Sequence, residues 1–443
     1  MPAITAMNYT ETLNYLYSQL PMFTRVGSSA FKKDLTNTLA LCEVLDNPQH
    51  KFKSIHIGGT NGKGSTSHML AAILQTAGYK TGLYTSPHLR DFRERIRVNG
   101  EMIAEQIIID FVERHRTDFE RIEPSFFEMT VALAFDTFAR AQVDIAVIEV
   151  GLGGRLDSTN VITPILSIIT NIGWDHMNLL GDTLPLIAGE KAGIIKPHVP
   201  VIIGEYQLEV AEVFERKATE LQAPLIFASK AWSINSKAKI QSSDNESEKL
   251  DIEVSPVSKD TKVQSLHLEL DLTGSYQLKN VKTVLSAVEE LRQQGLHITD
   301  AHIETALQQV QLLTGLQGRW QTLGQHPLTI CDTGHNPEGI AEVMQNIRST
   351  PYQHLHMVIG MVNDKDLSKV LRLLPQDATY YFCKPDIPRG LEAVLMQQQA
   401  AASGLKGEVY PSVKDALAAA QQQAGDKDLV FVGGSTFVVA EVV

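Results

Sequence analysis

The chain has 443 residues, of which 43% are hydrophobic and 20% charged, and its formal net charge is −12. Such a balance fits an ordinary globular protein of two or three domains, and the acidity argues against broad attraction to nucleic acid or to an anionic membrane, so small molecules are the expected partners. Cys42, Cys331 and Cys383 are too scattered for a zinc or disulfide pattern, and with no basic-then-apolar start and no membrane-length apolar run, a cytoplasmic protein is expected.

After a helical opening, apolar runs at Phe52–Ile57, Thr81–Thr85, Ile145–Val150, Ile165–Thr170 and Val199–Ile203 alternate with helical periodicity. That alternation predicts a parallel sheet. The stretch Ser229–Val263 is rich in Ser, Lys, Asp and Glu with weak strand alternation, so it predicts hairpins or an exposed insertion, away from any chemistry. A second βα series follows Gly318, with strands at Leu328–Cys331, His356–Ile359, Thr379–Phe382, Glu408–Tyr410 and Leu429–Val432. The fold class expected is therefore α/β, a phosphate-loop parallel-sheet domain over residues 1–314 followed by a smaller Rossmann-like domain over 315–443, with ligands bound between them.

The run from Ile57 through Gly58, Gly59, Thr60, Asn61, Gly62, Lys63, Gly64 and Ser65 ends the first predicted strand. It opens a helix expected to reach about Ala77, with Gly78 as its stop. Glycines let backbone N–H groups close around phosphate oxygens, the helix N-terminus adds partial positive charge, and Lys63 supplies a mobile cation. Asn61, Gly62, Lys63, Gly64 and Ser65 are thus the expected triphosphate grip, Ser65 facing a nucleotide-bound magnesium ion. The string departs from the common phosphate-loop pattern, because Gly64 stands where Ser or Thr follows the lysine and the glycine spacing is one residue shorter.

Three further residues fall at predicted strand ends. Ser86 offers a hydroxyl to a metal, or serves only as the turn residue before Pro87. Glu149 closes an apolar strand, where a carboxylate needs a partner, either magnesium or the guanidinium of Arg155. His176 follows the next strand. Parallel strand ends converge on one edge, so Ser86, Glu149 and His176 predict an oxygen-rich magnesium site with one imidazole.

The strings GTNGKGS, TSPHL, FFEMT, EVGLGGRLDSTN, TNIGWDHMNLLGDTL and EKAGIIK resemble, in order and spacing, the motifs of the folylpolyglutamate synthase/dihydrofolate synthase family of the Mur ligase superfamily. The resemblance implies ATP-dependent ligation of L-glutamate to a folate-type carboxylate, dihydropteroate or a reduced folate, through an acyl phosphate, by a monomer. It implies ATP and two magnesium ions, with Lys191 carbamylated, a plain salt bridge from Lys191 to a neighbouring acid being the alternative. Pterin contacts fall by resemblance on Ser125, Phe126, Phe127 and Glu128, on Leu156, Asp157 and Ser158, and on Phe31, Lys32 and Lys33. Asn280, placed at the start of a predicted helix Val281–Arg292, matches the family's adenine contact and would also serve as an N-cap.

Arg319 matches an arginine suited to nucleotide phosphates, in a turn where Gln317 replaces the family's proline. Asp332 and His335 lie in DTGHNP, close to the family's DGAHNP with Thr333 in place of glycine. The resemblance gives Asp332 to the nucleotide and His335 to glutamate or the acyl phosphate, a strand-end cap being the alternative for each. Gly433, Gly434 and Ser435 offer N–H groups suited to a carboxylate such as that of glutamate. By the same resemblance, the opening FTRVGSSAFKKDLTNT implies both synthase activities. Two rivals are a Mur-type ligase acting on a UDP-muramoyl precursor, which should differ at Gly64, Ser65 and Ser86–Leu89, and a nucleotide-binding regulator without turnover.

Overall fold

The computed structural model describes residues 7–21, 34–241, 248–258, 264–363 and 367–443. The first sheet contains β1 (Lys53–Gly58), β2 (Thr81–Tyr84), β3 (Ile96–Val98), β4 (Glu101–Met102), β5 (Ile145–Glu149), β6 (Leu166–Ile169), β7 (Val201–Ile203) and β8 (Leu225–Phe227), in the spatial order β4-β3-β2-β5-β1-β6-β7-β8. From β2 to β8 all neighbours are parallel, while β3 and β4 add an antiparallel edge. Their short, near-continuous apolar runs are what a sheet buried on both faces requires: β5 is buried throughout, and β1 is buried after Lys53.

Helices cover the two faces. The helix Lys63–Thr76 presents buried Met69, Leu70, Ile73 and Leu74. The helix Phe126–Ala141 adds Met129, Leu133, Phe135 and Phe138 to a core shared with Tyr84 and Ile148. In the register β1 sits between β5 and β6, with Ile57 opposite Glu149 and Gly58 opposite Ile169. The turns that leave β2, β5, β1, β6 and β7 therefore lie side by side along one edge.

The second sheet is three-stranded, of β9 (Trp232–Gln241), β10 (Glu248–Pro256) and β11 (Leu266–Leu270). Strands were expected there, but the segment is not simply exposed: Ile252, Val254 and Leu268 are buried on one face by the alternation of β10 and β11.

The third sheet joins β12 (Gln321–Gln325), β13 (Leu328–Asp332), β14 (Leu355–Ile359), β15 (Thr379–Phe382), β16 (Lys406–Val409) and β17 (Leu429–Gly433) in the order β12-β13-β17-β14-β15-β16. All its pairs are parallel except β12 with β13. Contacts divide the chain into one unit of Met1–Lys237, Asp251–Glu269 and Lys279–Gly315, and another of Ala238–Leu250, Leu270–Leu278 and Leu316–Val443.

Several local expectations need correction. Phe92–Arg95, which the sequence does not announce, is a 3-10 helix leading into β3, because Asp91 and Glu94 form a capping box. The helix carrying Asn280 begins at Gln277, so Asn280 lies within its first turn and is not the N-cap. Strand β8 is only three residues long and β12 has a single large apolar residue, so neither announced itself and both were missed. No helix among the described residues is long and apolar enough to cross a membrane.

Candidate active site

The glycine-rich loop between β1 and the helix Lys63–Thr76 is fastened by the strand beside it. Thr60 N–H donates to the Asn171 carbonyl (2.9 Å) and Asn61 N–H to Asn171 Oδ1 (2.9 Å). Thr170, at the end of β6, gives its N–H to Gly58 O (3.0 Å) and its hydroxyl to Asn61 O (2.6 Å). A side chain at Gly59, where φ is +136°, would run into Thr170, and one at Gly62, where φ is +87°, would run into the amide of Asn280. Both positions therefore require glycine.

With Thr60 and Asn61 committed to Asn171, the next amides along the loop are those of Gly62 and Lys63. The first i to i−4 bond of the following helix is Thr66 N–H to Gly62 O, so the amides of Lys63 and Gly64 precede the intrahelical ladder. Anions bind at such an end.

Two ammonium groups converge on the same loop. Lys63 Nζ donates to Gly59 O (3.0 Å) and Thr60 O (3.1 Å), and Lys191 Nζ donates to Gly59 O (2.8 Å). Lys191 meets a carbonyl and not the acid that a plain salt bridge would require. Burial first, and then repulsion from Lys63, lower its pKa to about 7, while Asp175 and Asp157 pull the other way.

Ser86 and Glu149 come together: Ser86 N–H donates to Glu149 Oε2 (3.3 Å), and Glu149 is buried at the end of β5. Arg155, the alternative partner for Glu149, instead pairs with Glu190 Oε1 at 2.9 Å. His176 stands beyond β6 with left-handed φ of 50°, its ring 3.8 Å from Asp175 Oδ2. Among the described residues no cluster of three or more His, Cys, Asp or Glu is placed to hold a metal ion. Few protein ligands suit magnesium, which is commonly held by one or two carboxylates with substrate phosphates and water completing the shell, so the residues present fit an ion shared with a nucleotide.

The pterin set divides. Ser125 and Glu128 cap their helix reciprocally (Ser125 N–H to Glu128 Oε2, 2.6 Å; Glu128 N–H to Ser125 Oγ, 3.2 Å). Phe126 is buried beneath the Arg95 guanidinium (5.4 Å), and Phe127 lies against Gly151 and Tyr84. Asp157 is buried beside half-buried Leu156 and buried Ser158. Its carboxylate accepts from Leu152 N–H (2.8 Å), Thr159 N–H (3.0 Å) and Thr159 Oγ1 (2.5 Å), and burial raises its pKa against those bonds. Phe31, Lys32 and Lys33 lie outside the described residues.

In the second unit, Asp332 ends β13 and is buried. It accepts from Tyr276 OH (2.5 Å), Trp320 N–H (2.8 Å) and Gly334 N–H (2.8 Å). Thr333, the departure from the family's glycine, links its neighbours: its hydroxyl accepts from Arg319 and its carbonyl meets His335 Nδ1 (2.9 Å). The turn without proline is held by Gly318 N–H to Gln321 Oε1 (2.7 Å) and Thr333 N–H to Gly318 O (3.1 Å). Ser435 caps the short final helix through Phe437 N–H (3.2 Å).

Sequence reasoning missed Thr170, Asn171, Glu205, Tyr276, and the pair His56 and Thr159. His56 is fully buried on β1 and its Nε2 lies 2.8 Å from Thr159 Oγ1. Because Thr159 gives its proton to Asp157, His56 must be the donor, neutral with Nδ1 unpartnered, and burial lowers its pKa to about 3. The one signal for it was a histidine inside a strand that is otherwise apolar.

Comparison with known proteins identifies this architecture. The Mur ligase middle domain matches residues 57–288 and the Mur ligase glutamate ligase domain matches 318–436, so the chain is a Mur-type ligase. It is 32% identical to the folylpolyglutamate synthase of Lacticaseibacillus casei, with 96% of each chain covered. It is also 32% identical to a probable bifunctional folylpolyglutamate synthase/dihydropteroate synthase of Haloferax volcanii over 98% of this chain, and spans half the length of that relative. The Escherichia coli FolC complex with DHPP and ADP superposes with a TM-score of 0.83 at 29% identity, covering 99% of this chain and 97% of that one. A Yersinia pestis bifunctional folylpolyglutamate synthase/dihydrofolate synthase complexed with AMPPNP and a Mn ion gives 0.82 at 28% identity, covering 98% and 97%. The chain belongs to the folylpolyglutamate synthase/dihydrofolate synthase family.

Proposed function

We propose that this protein joins L-glutamate to the carboxylate of a folate-type acid at the expense of ATP, accepting dihydropteroate and reduced folates. The observation that carries the reading is Lys63, whose Nζ rests on the Gly59 and Thr60 carbonyls at the start of the helix Lys63–Thr76. A mobile cation at a helix N-terminus favours a bound polyanion.

A carboxylate does not condense with an amine in water, so its oxygen first attacks the γ-phosphorus of ATP and ADP departs. The amides from Gly62 to Ser65 hold the phosphates, and Lys63 leaves its loop carbonyls to offset the charge that builds in the transfer. The amine of glutamate then attacks the acyl carbon, phosphate leaves, and an amide remains. Asn280 serves the adenine, and Arg319, Asp332, His335 and Ser435 carry the nucleotide and glutamate roles their motifs imply. Asp157 serves the pterin.

Ser86, Glu149 and His176 would hold a divalent ion, which when bound neutralises phosphate charge. A second ion fits a carbamylated Lys191: the neutral amine that a pKa of about 7 supplies adds to carbon dioxide, forms an N–C bond and releases a proton. The product is an oxygen ligand where an ammonium stood.

The test is glutamate-dependent ADP release with dihydropteroate, tetrahydrofolate or a UDP-muramoyl acid as acceptor, each product being weighed by mass spectrometry. The expected products are the two pterin acids, each heavier by one glutamyl residue. Turnover confined to the UDP-muramoyl acid, or none with any acceptor, overturns the reading.

A further inference from the structure

Asn171 fastens the phosphate loop, but an asparagine amide can turn over and present nitrogen in place of oxygen. Here its direction is fixed from behind. Asn171 Nδ2 donates to Glu205 Oε1 (2.9 Å), which forces Oδ1 toward Asn61 N–H (2.9 Å). Glu205 follows β7, the strand beside β6, so the sheet order carries its carboxylate to the flank of Asn171. Its second oxygen pairs with Lys279 Nζ at 3.2 Å.

Lys279 is the residue before Asn280, whose amide already lies against Gly62. The helix Gln277–Gln293 thus meets the phosphate loop twice, once directly through Asn280 and once through Lys279, Glu205 and Asn171.

We infer that Glu205 is a positioning residue for the nucleotide: by orienting Asn171 it sets the loop's Thr60–Asn61 segment, and through Lys279 it fixes the distance from the triphosphate grip to the base-contacting Asn280. This rests on the reading of the loop as the ATP site. Glu205 touches no reacting atom, so its loss weakens nucleotide binding and spares the chemical step. The Asn171 bond carries most of the effect, because Lys279 is about half exposed (49%) and a pair so open to solvent is weak.

The experiment measures kcat and KM for ATP, folate substrate and glutamate in Glu205→Ala, Glu205→Gln, Lys279→Met and Asn171→Ala. Amide hydrogen exchange is followed across residues 58–62. Glu205→Ala should raise the KM for ATP roughly tenfold with kcat and the other KM values within about twofold, as loss of one charge-assisted bond predicts. Glu205→Gln keeps an acceptor for Asn171 and should recover most of that loss, Lys279→Met should cost about twofold, and exchange at 58–62 should quicken in Glu205→Ala and Asn171→Ala.

A raised KM for ATP in Asn171→Ala with wild-type behaviour in Glu205→Ala overturns the inference and leaves the ATP reading standing. No change in either variant likewise overturns the inference alone, whereas wild-type protein without ATP-dependent turnover overturns the ATP reading. A Glu205→Ala protein that melts earlier and loses kcat and every KM alike points to general support of the fold and overturns it as well.

Discussion

Two sites, one in each unit, treat charge in opposite ways. Around the phosphate loop, Lys63 and Lys191 meet only carbonyl oxygens, and their mutual repulsion, added to burial, lowers the pKa of Lys191 to about 7. At the end of β13, the Asp332 carboxylate is surrounded by three donors, from Tyr276, Trp320 and Gly334. A charge left short of counter-charge stores electrostatic free energy that a ligand releases on binding, whereas a charge saturated with hydrogen bonds holds the fold together. Substitutions in the first place should therefore cost activity more than stability, whereas in the second they should cost stability as well.

The largest effect should come from Lys63→Ala. Removing a cation aimed at a transferring phosphoryl group costs about 10²- to 10³-fold in kcat/KM, while urea unfolding should be little changed because only two carbonyl contacts are lost. A large drop in stability would break the contrast.

Asp332→Ala leaves the Tyr276 hydroxyl and two amides without an acceptor, and should lower unfolding free energy by roughly 2–4 kcal/mol, measured by urea titration. If Asp332→Ala stays as stable as the wild type, the saturated-carboxylate account fails.

For Lys191 the sign follows from proton counting. Its folded pKa, about 7, lies below the unfolded value near 10.5, so between those values the unfolded chain holds more protons and stability rises with pH. Relative to Lys191→Met, the wild type should gain up to about 1.4 kcal/mol per pH unit within that window. A flat difference across pH 7 to 10 would show that the buried ammonium is not strained.

The smallest effect separates Thr159→Ser from Thr159→Val. Serine keeps a hydroxyl between His56 and Asp157, whereas valine leaves buried partners unmatched and should cost about 1–2 kcal/mol more. The same pair sharpens the site reading, since valine should also raise the KM for dihydropteroate without moving that for ATP.

Much of the first unit was legible before any coordinates. The run Gly59 to Ser65 between an apolar strand and a helix declares a glycine-built strand-to-helix turn through local sterics, and Glu149 at the end of Ile145–Glu149 declares itself because a carboxylate in an apolar strand needs a partner. Helix starts were harder. Gln277 offers no capping signature, so the first turn containing Asn280 was placed too late, and β12 carries a glycine at 324 and glutamines at both ends where an apolar alternation would have marked it.

By itself, then, the sequence determined most of the strands and helices, the glycine-built turn after β1 and the residues left at strand ends, all of which follow from periodicity and turn chemistry over a few neighbouring positions. Tertiary structure alone decided which distant groups meet: Lys191 on a carbonyl 132 positions earlier, Glu205 behind Asn171, His56 behind Asp157 through Thr159. The reason is physical. Local preferences act within one helical turn or one strand, but burial, repulsion between like charges and hydrogen bonds across a sheet depend on which strands become neighbours, and the order β2-β5-β1-β6-β7 exists only once the chain has folded.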